Sequence, residues 1–297
     1  RTRMTMPFNS STFTITDGRR FKLADHPTEL REHIDKDDLK KLLAEDREKI
    51  IDLQEKLYAE GRRSLLLIFQ AMDAAGKDSA IDHVLSGVNP QGCAVTSFKQ
   101  PGREELAHDF LWRHAKATPA RGMIGVHNRS HYEEVVVVKV HPEYLIGQRL
   151  PDIASPKDAD EAFWERRYAA IRAWEEHLVH SGTTIMKFFL HMGKAEQKKR
   201  FLERIDEPRK NWKFSIGDVQ ERAHFDGYMK AYEEAIRATA ALHAPWFVVP
   251  ADEQWESRAI VGRLVRERLE RMSLEWPVLT AEEKADLAKA ERLLKAE

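Results

Sequence analysis

The alternation of hydrophobic and polar positions changes period many times along this 297-residue chain, and each change predicts an element. From about Asp35 the apolar side chains Leu39, Leu42, Leu43, Ile50, Leu53 and Leu57 recur at helical spacing, and Gly61 supplies a stop. The unbroken apolar run Leu65–Phe69 marks a strand over 64–69. A loop of small residues follows at 70–76, and then a helix from Lys77 to about Leu85. Asn89-Pro-Gln-Gly92 is a turn, and 93–98 is a second strand. Leu106, Phe110 and Leu111 predict a helix to about Lys116, and 122–126 is a third strand. Ser130 is placed as an N-cap with Glu133 at capping-box spacing, so helix is preferred for the ambiguous run 135–138. Phe163, Trp164, Tyr168, Ile171, Trp174 and Leu178 mark a long amphipathic helix before a fourth strand at 183–190. A very basic helix spans 194–206 and ends before Pro208. Segments 218–240 and 253–272 are helical around a short fifth strand at 246–249. A charged, peripheral helix over 280–295 closes the pattern.

Strands alternating with helices predict an α/β fold, with a parallel five-stranded sheet covered on both faces. The first 27 residues are polar and irregular, an arm lying on the surface or on a neighbour. The expected division is an N-terminal arm (1–34), one three-layer α/β/α domain (35–275) with a helical insertion, and a C-terminal helix (276–297). There is no internal repeat or low-complexity run.

Composition narrows the function classes. Formal net charge is −1, with 33% charged and 42% hydrophobic residues, so any anion site must be a local patch. Cys93 is the one cysteine, which excludes an intramolecular disulfide or a cysteine metal cluster and suits a reducing cytosol. It reads as a small strand hydrophobe. The apolar runs are far shorter than the roughly 20 residues of a membrane span, and no signal peptide is evident, so a cytoplasmic location is expected. Aromatic and basic residues do not interleave as in RNA-binding sheets, so neither nucleic acid nor membrane is expected as a partner.

In an open parallel sheet, ligands bind beyond the C-terminal strand ends. Four polar stretches gather there: 70–77, 99–103, 127–130 and 191–194. The first, Met72-Asp-Ala-Ala-Gly-Lys-Asp-Ser79, has the order of a phosphate-binding loop, in which amides and a helix N-terminus face the anion and a lysine adds charge. Two positions depart from the general pattern: Ala71 stands where glycine is usual, and Asp78 where serine or threonine is usual. Ala74, Ala75, Gly76, Lys77 and Asp78 are the expected phosphate-binding residues. A surface lysine at a helix N-terminus would be electrostatically poor, which favours a functional Lys77. Asp73 would repel the anion unless it holds Mg²⁺ or caps the next turn.

Asn128 occupies the site after the third strand where a nucleotide hydrolase usually offers an aspartate to Mg²⁺, and Arg129 could bridge phosphate oxygens. Glu133 could restore the missing acid or act as a cap. Arg200 and Arg204 share a face of the basic helix, which suits a lid clamping a polyanion. His127 and His131 are four apart, but they span a strand end and a helix start, which argues against a metal pair.

Together with Ser86-Gly-Val-Asn-Pro-Gln-Gly92, Ser97-Phe-Lys-Gln-Pro101, His108-Asp-Phe-Leu-Trp-Arg113, Asn128-Arg-Ser-His-Tyr-Glu133, Trp212-Lys213 and Ala244-Pro-Trp-Phe-Val-Val-Pro-Ala-Asp252, the loop resembles polyphosphate kinase family 2 over roughly residues 20–272. Asn128 and Lys-Asp-Ser after the glycine look like its third class, which acts on both AMP and ADP. The resemblance implies a P-loop kinase fold of thymidylate-kinase type with a helical lid at about 194–220. It also implies Mg²⁺ dependence and a homo-oligomer, dimer or tetramer. Carried over by position, Asp73, Lys77, Asn128, Arg129, Glu133, Arg200 and Arg204 are the expected catalytic residues, with Asp73 on Mg²⁺. Lys194 and Lys213 are expected on polyphosphate, and Lys99, Arg103 and Arg113 on the nucleotide. The implied reaction moves phosphate from inorganic polyphosphate to AMP or ADP, forming ADP and ATP. An ATP-dependent nucleoside monophosphate kinase and a non-catalytic polyanion-binding protein stand as alternatives.

Overall fold

The computed structural model describes residues 8–297, with every side chain except that of Lys213. A mixed sheet lies at the centre. Its strands are β1 (Thr14–Ile15), β2 (Ser64–Ala71), β3 (Cys93–Ser97), β4 (Ile124–Asn128), β5 (Thr183–His191) and β6 (Trp246–Pro250). Their spatial order is β1-β6-β5-β2-β4-β3. All pairs are parallel except β1 with β6. β2 is buried along its whole length, as an apolar run without alternation requires when helices cover both faces. The long helices Lys36–Glu60, Glu161–His180, Phe225–Thr239 and Gln254–Arg271 supply that cover.

The expected count of five strands is corrected to six. The added strand, β1, has two residues, too few to show a period of two, and it falls in the stretch read as an irregular arm. That stretch lies on its own chain, where Phe13, Phe21 and Leu23 are buried in the core. The helix expected over 106–116 is two short pieces, Arg103–Leu106 and Trp112–Lys116. In the break between them, the Asp109 carboxylate accepts from the Leu111 amide at 2.9 Å. The third predicted strand runs two residues further than expected, so Asn128 ends β4. The run 135–138 follows a 3-10 turn, His131–Glu134, and enters a single α-turn, Val137–Val140. Ser130 does cap, its Oγ accepting from the Tyr132 amide at 3.2 Å. Glu133 makes no return bond to Ser130 and faces Arg129 instead. The segment 218–240 divides into Ile216–Glu221, a 3-10 turn and Phe225–Thr239. Cys93 opens β3 half-buried. The C-terminal helix Ala281–Leu294 buries none of its residues. Among the described residues, no helix is long and apolar enough to cross a membrane.

Candidate active site

Register places the site. Phe69 of β2 pairs with Asn128 and with Phe188, and Asn128 pairs with Ser97, so four strands end side by side. β2 leads straight into the loop 72–76, and neither of its neighbours in the sheet follows it in sequence. This is a topological switch point, where loops on either side diverge and leave a crevice.

The loop turns through two left-handed residues, Ala74 at φ 68° and Gly76 at φ 94°. Gly76 adopts this conformation freely, whereas Ala74 carries about 1–2 kcal/mol of strain. Gly76 is the N-cap of helix Lys77–Leu85, so the helix's leading amides open into the crevice. Lys77 is 9% exposed and donates to the Ala71 carbonyl at 2.8 Å. Burial pushes its pKa down, and Asp73, Glu133 and Asp78 pull it back up.

Across the crevice, Arg129 (itself at φ 62°) donates from Nη2 to Asp73 Oδ1 at 2.7 Å and lies 3.7 Å from Glu133. Burial raises the Glu133 pKa, against the pull of Arg129 and Lys77. Asn128 donates from Nδ2 to Asp78 Oδ1 at 2.6 Å and lies 3.5 Å from Ser97 Oγ. The structure thus brings Asp73, Lys77, Asp78, Asn128, Arg129 and Glu133 together. Asp218 joins them: burial and then the Asp73 charge raise its pKa, while Arg204, Arg129 and Lys77 lower it.

The basic helix, Lys194–Asp206, differs from expectation at Arg200. Rather than facing open solvent as a clamp, this 5%-exposed guanidinium is committed within the protein. It reaches Ala74 O at 3.1 Å, Ala251 O at 2.7 Å, Asp252 O at 2.8 Å and Glu196 at 2.9 Å. Arg204 lies over the Phe201 ring, 3.9 Å from Asp218. Lys194 lies 3.7 Å from Asp226 and over Phe225. The Lys213 side chain is outside the described residues. Gln197, not anticipated from the sequence, donates to the Asp73 carbonyl at 3.1 Å. Its one signal was the helical spacing of three that places it beside Arg200.

Beyond β3, a cavity of about 550 Å³ is lined by Ser97, Phe98, Lys99, Arg103, Trp112 and Arg113. Lys99 and Arg103 face it. Arg113 is largely committed, donating to the Lys99 carbonyl at 2.8 Å and to His114 Nε2 at 3.3 Å and lying 3.6 Å from Glu105. A larger cavity, about 1150 Å³, shares no lining residue with this edge. Its rim sets Asp160, Glu161, Glu165 and Glu234 against Arg19, Lys139 and Arg237, so it has no positive excess to draw a polyanion.

His127 and His131 face different partners. His127 donates from Nε2 to the Ala117 carbonyl at 3.1 Å and packs on Phe98, whereas His131 lies 3.4 Å from Glu175. With His114 they form a buried row of rings. Burial lowers the pKa of all three, that of His127 to about 4. The unfolded chain binds protons near pH 6.5 that the folded chain refuses. Stability is therefore full above that pH and is lost below it, by up to about 1.4 kcal/mol per unit for each histidine. Thermal melts from pH 7.5 to 4.5 are expected to show the midpoint falling most steeply below about pH 6.5. A midpoint that stays flat from neutrality to pH 5 would overturn the assignment.

Asp73 offers a hard carboxylate oxygen on the loop itself. Mg²⁺ commonly takes one or two carboxylates and fills its remaining positions with substrate phosphates and water. The residues present therefore fit a Mg²⁺ that arrives with its phosphate chain, although one Asp73 oxygen already accepts from Arg129.

Comparison with known proteins gives the family. A model of the polyphosphate kinase 2 family matches residues 33–277. An ADP-polyphosphate phosphotransferase of Rhodopseudomonas palustris is 47% identical over 98% of this chain and 100% of its own. An AMP/ADP-polyphosphate phosphotransferase of Meiothermus ruber is 45% identical over 76% of this chain and 79% of its own. The crystal structure of a polyphosphate kinase 2 from Arthrobacter aurescens TC1 superposes with a TM-score of 0.85 at 41% identity, covering 96% of this chain and 99% of that one. The chain belongs to the polyphosphate kinase 2 family.

Proposed function

We propose that this protein is a polyphosphate:nucleotide phosphotransferase, moving the terminal phosphate of inorganic polyphosphate onto AMP, ADP or both. The carrying observation is the convergence of Lys77 and Arg129 on one crevice, beside a cavity lined by Lys99 and Arg103. The attacking phosphate oxygen is already anionic near neutral pH, with a second phosphate pKa of about 6, so no general base is required. The obstacle is repulsion between two polyanions and their alignment. In this reading Lys77 and the helix amides hold the donor phosphate, Arg129 spans donor and acceptor, and Lys99, Arg103 and Arg113 face the nucleotide. Arg129 would exchange its bond to Asp73 for phosphate oxygens, freeing that carboxylate to hold Mg²⁺. Bound there, Mg²⁺ would neutralise charge between the phosphates. The reading carries a P-loop kinase architecture of thymidylate-kinase type, with the part of 194–220 beyond the anchored Arg200 as its lid. It also carries a homo-oligomer and a cytoplasmic setting.

The test is product analysis with Mg²⁺ and polyphosphate against AMP and ADP separately. ATP from ADP, or ADP from AMP, is expected over many turnovers. Phosphorylation of AMP by ATP alone, with polyphosphate inert, would instead make it a nucleoside monophosphate kinase. No turnover with any donor would leave a polyanion-binding protein.

A further inference from the structure

We propose that Gln197 is a positioning residue: with Arg200 it grips two successive carbonyls of the phosphate loop and so aims the loop at the anion. Its catalytic consequence rests on the reaction proposed above. Gln197 is 1% exposed, and both ends of its amide are committed. Oε1 accepts from Arg222 Nη1 at 2.8 Å, and Nε2 donates to the Asp73 carbonyl at 3.1 Å. Arginine can only donate, so Arg222 fixes which end of the amide faces it and leaves the NH₂ group for the loop. Arg222 is held in turn by the Lys194 carbonyl at 3.2 Å.

Arg200, three residues on and on the same helix face, takes the next carbonyl, that of Ala74, at 3.1 Å. In a trans peptide the C=O and N–H of one unit point in opposite directions. Holding the Asp73 carbonyl therefore sets the direction of the Ala74 amide, and holding the Ala74 carbonyl pins a residue whose left-handed backbone would otherwise relax. The brace has a firm back. Arg200 also grips the Ala251 and Asp252 carbonyls, and the amides of these two residues donate to the Thr28 carbonyl at 2.9 and 2.8 Å. The first two turns of the basic helix are thus a fixed support tied to the end of β6 and to the N-terminal segment.

Two variants test this: Gln197→Met, which keeps the shape and loses both polar ends, and Gln197→Glu, which keeps the acceptor for Arg222 and loses the donor to the loop. Both are expected to lower kcat for ATP formation by roughly 10–100-fold, with the KM for ADP within about twofold, since misplacing a reacting group by an ångström costs about that much. Without substrate, amide exchange at 74–77 should quicken at least about tenfold while β2 and β5 keep their protection. Wild-type kcat with a protected loop overturns the proposal. So does exchange that rises uniformly across the sheet, which would make Gln197 a core residue only. Exchange is read without substrate, so a wild-type protein forming no ATP would defeat the reaction and leave the brace standing or falling on the exchange data.

Discussion

Replacing Lys77 by alanine removes ATP formation from ADP and polyphosphate, by at least about 10²–10³-fold, while the thermal midpoint changes little. Losing one charged contact made in the transition state costs about 2–4 kcal/mol of barrier. Lys77 sits where such a contact has most effect, at the first residue of a helix whose amides face the same crevice. Stability should survive because the side chain has a single hydrogen bond, to the Ala71 carbonyl, and its ammonium is held against a burial penalty. Removing a group that folding disfavours does not weaken the fold. Steady-state turnover and a melt on the same preparation check both halves. Retained turnover would take Lys77 out of the site. Collapse of the midpoint would make it structural.

Lys187→Met has the largest expected effect on stability, a loss of about 3–5 kcal/mol. Lys187, on β5, is fully buried. It donates to Glu175 at 2.6 Å, to the Thr239 carbonyl at 2.8 Å and to the Tyr132 hydroxyl at 3.1 Å. Burial pushes the Glu175 pKa up, but Lys187 and His131 together hold it below its ordinary value, so the carboxylate is charged inside the core. Methionine would leave that carboxylate with only Tyr132 and His131. The double substitution Lys187→Met with Glu175→Leu should recover most of the loss, because an apolar pair of similar volume has no stranded charge. Urea titrations of the three variants check this, and a double variant no better than the single one would count against it. The network also anchors Tyr132, three residues from Arg129, and so ties the floor of the site to the core.

Much of the candidate site was legible because the loop 72–76 and its flanking strand and helix are local. A strand, a tight turn and a helix start fall within about sixteen residues, and the small residues that let backbone approach an anion are visible in order. Asp73 and Lys77 were read this way, Asn128 and Arg129 from their place after the third predicted strand, and the structure brings the four to one edge. Arg200 was found for its charge and assigned a direct hold on the polyanion, but charge on a helix does not say what lies across from it. Gln197 carried no charge, and its helical spacing from Arg200 does not by itself mark it out. The two-residue β1 was illegible for a simpler reason: it has no period, and its pairing with β6 lies more than 200 residues away.

The sequence by itself determined the order of the five predicted strands and the helices between them, the small-residue loop that ends at Gly76-Lys77, and the family, since periodicity and turn chemistry depend on neighbours within a few residues. Only the tertiary structure decided that Arg129 holds Asp73 across 56 residues, that Asn128 holds Asp78, and that Gln197 and Arg200 support the loop from more than 120 residues away. Those contacts exist because parallel pairing carries each strand's end to one edge of the sheet. Which side chains meet there follows from register and strand order, and no local stretch of sequence encodes them.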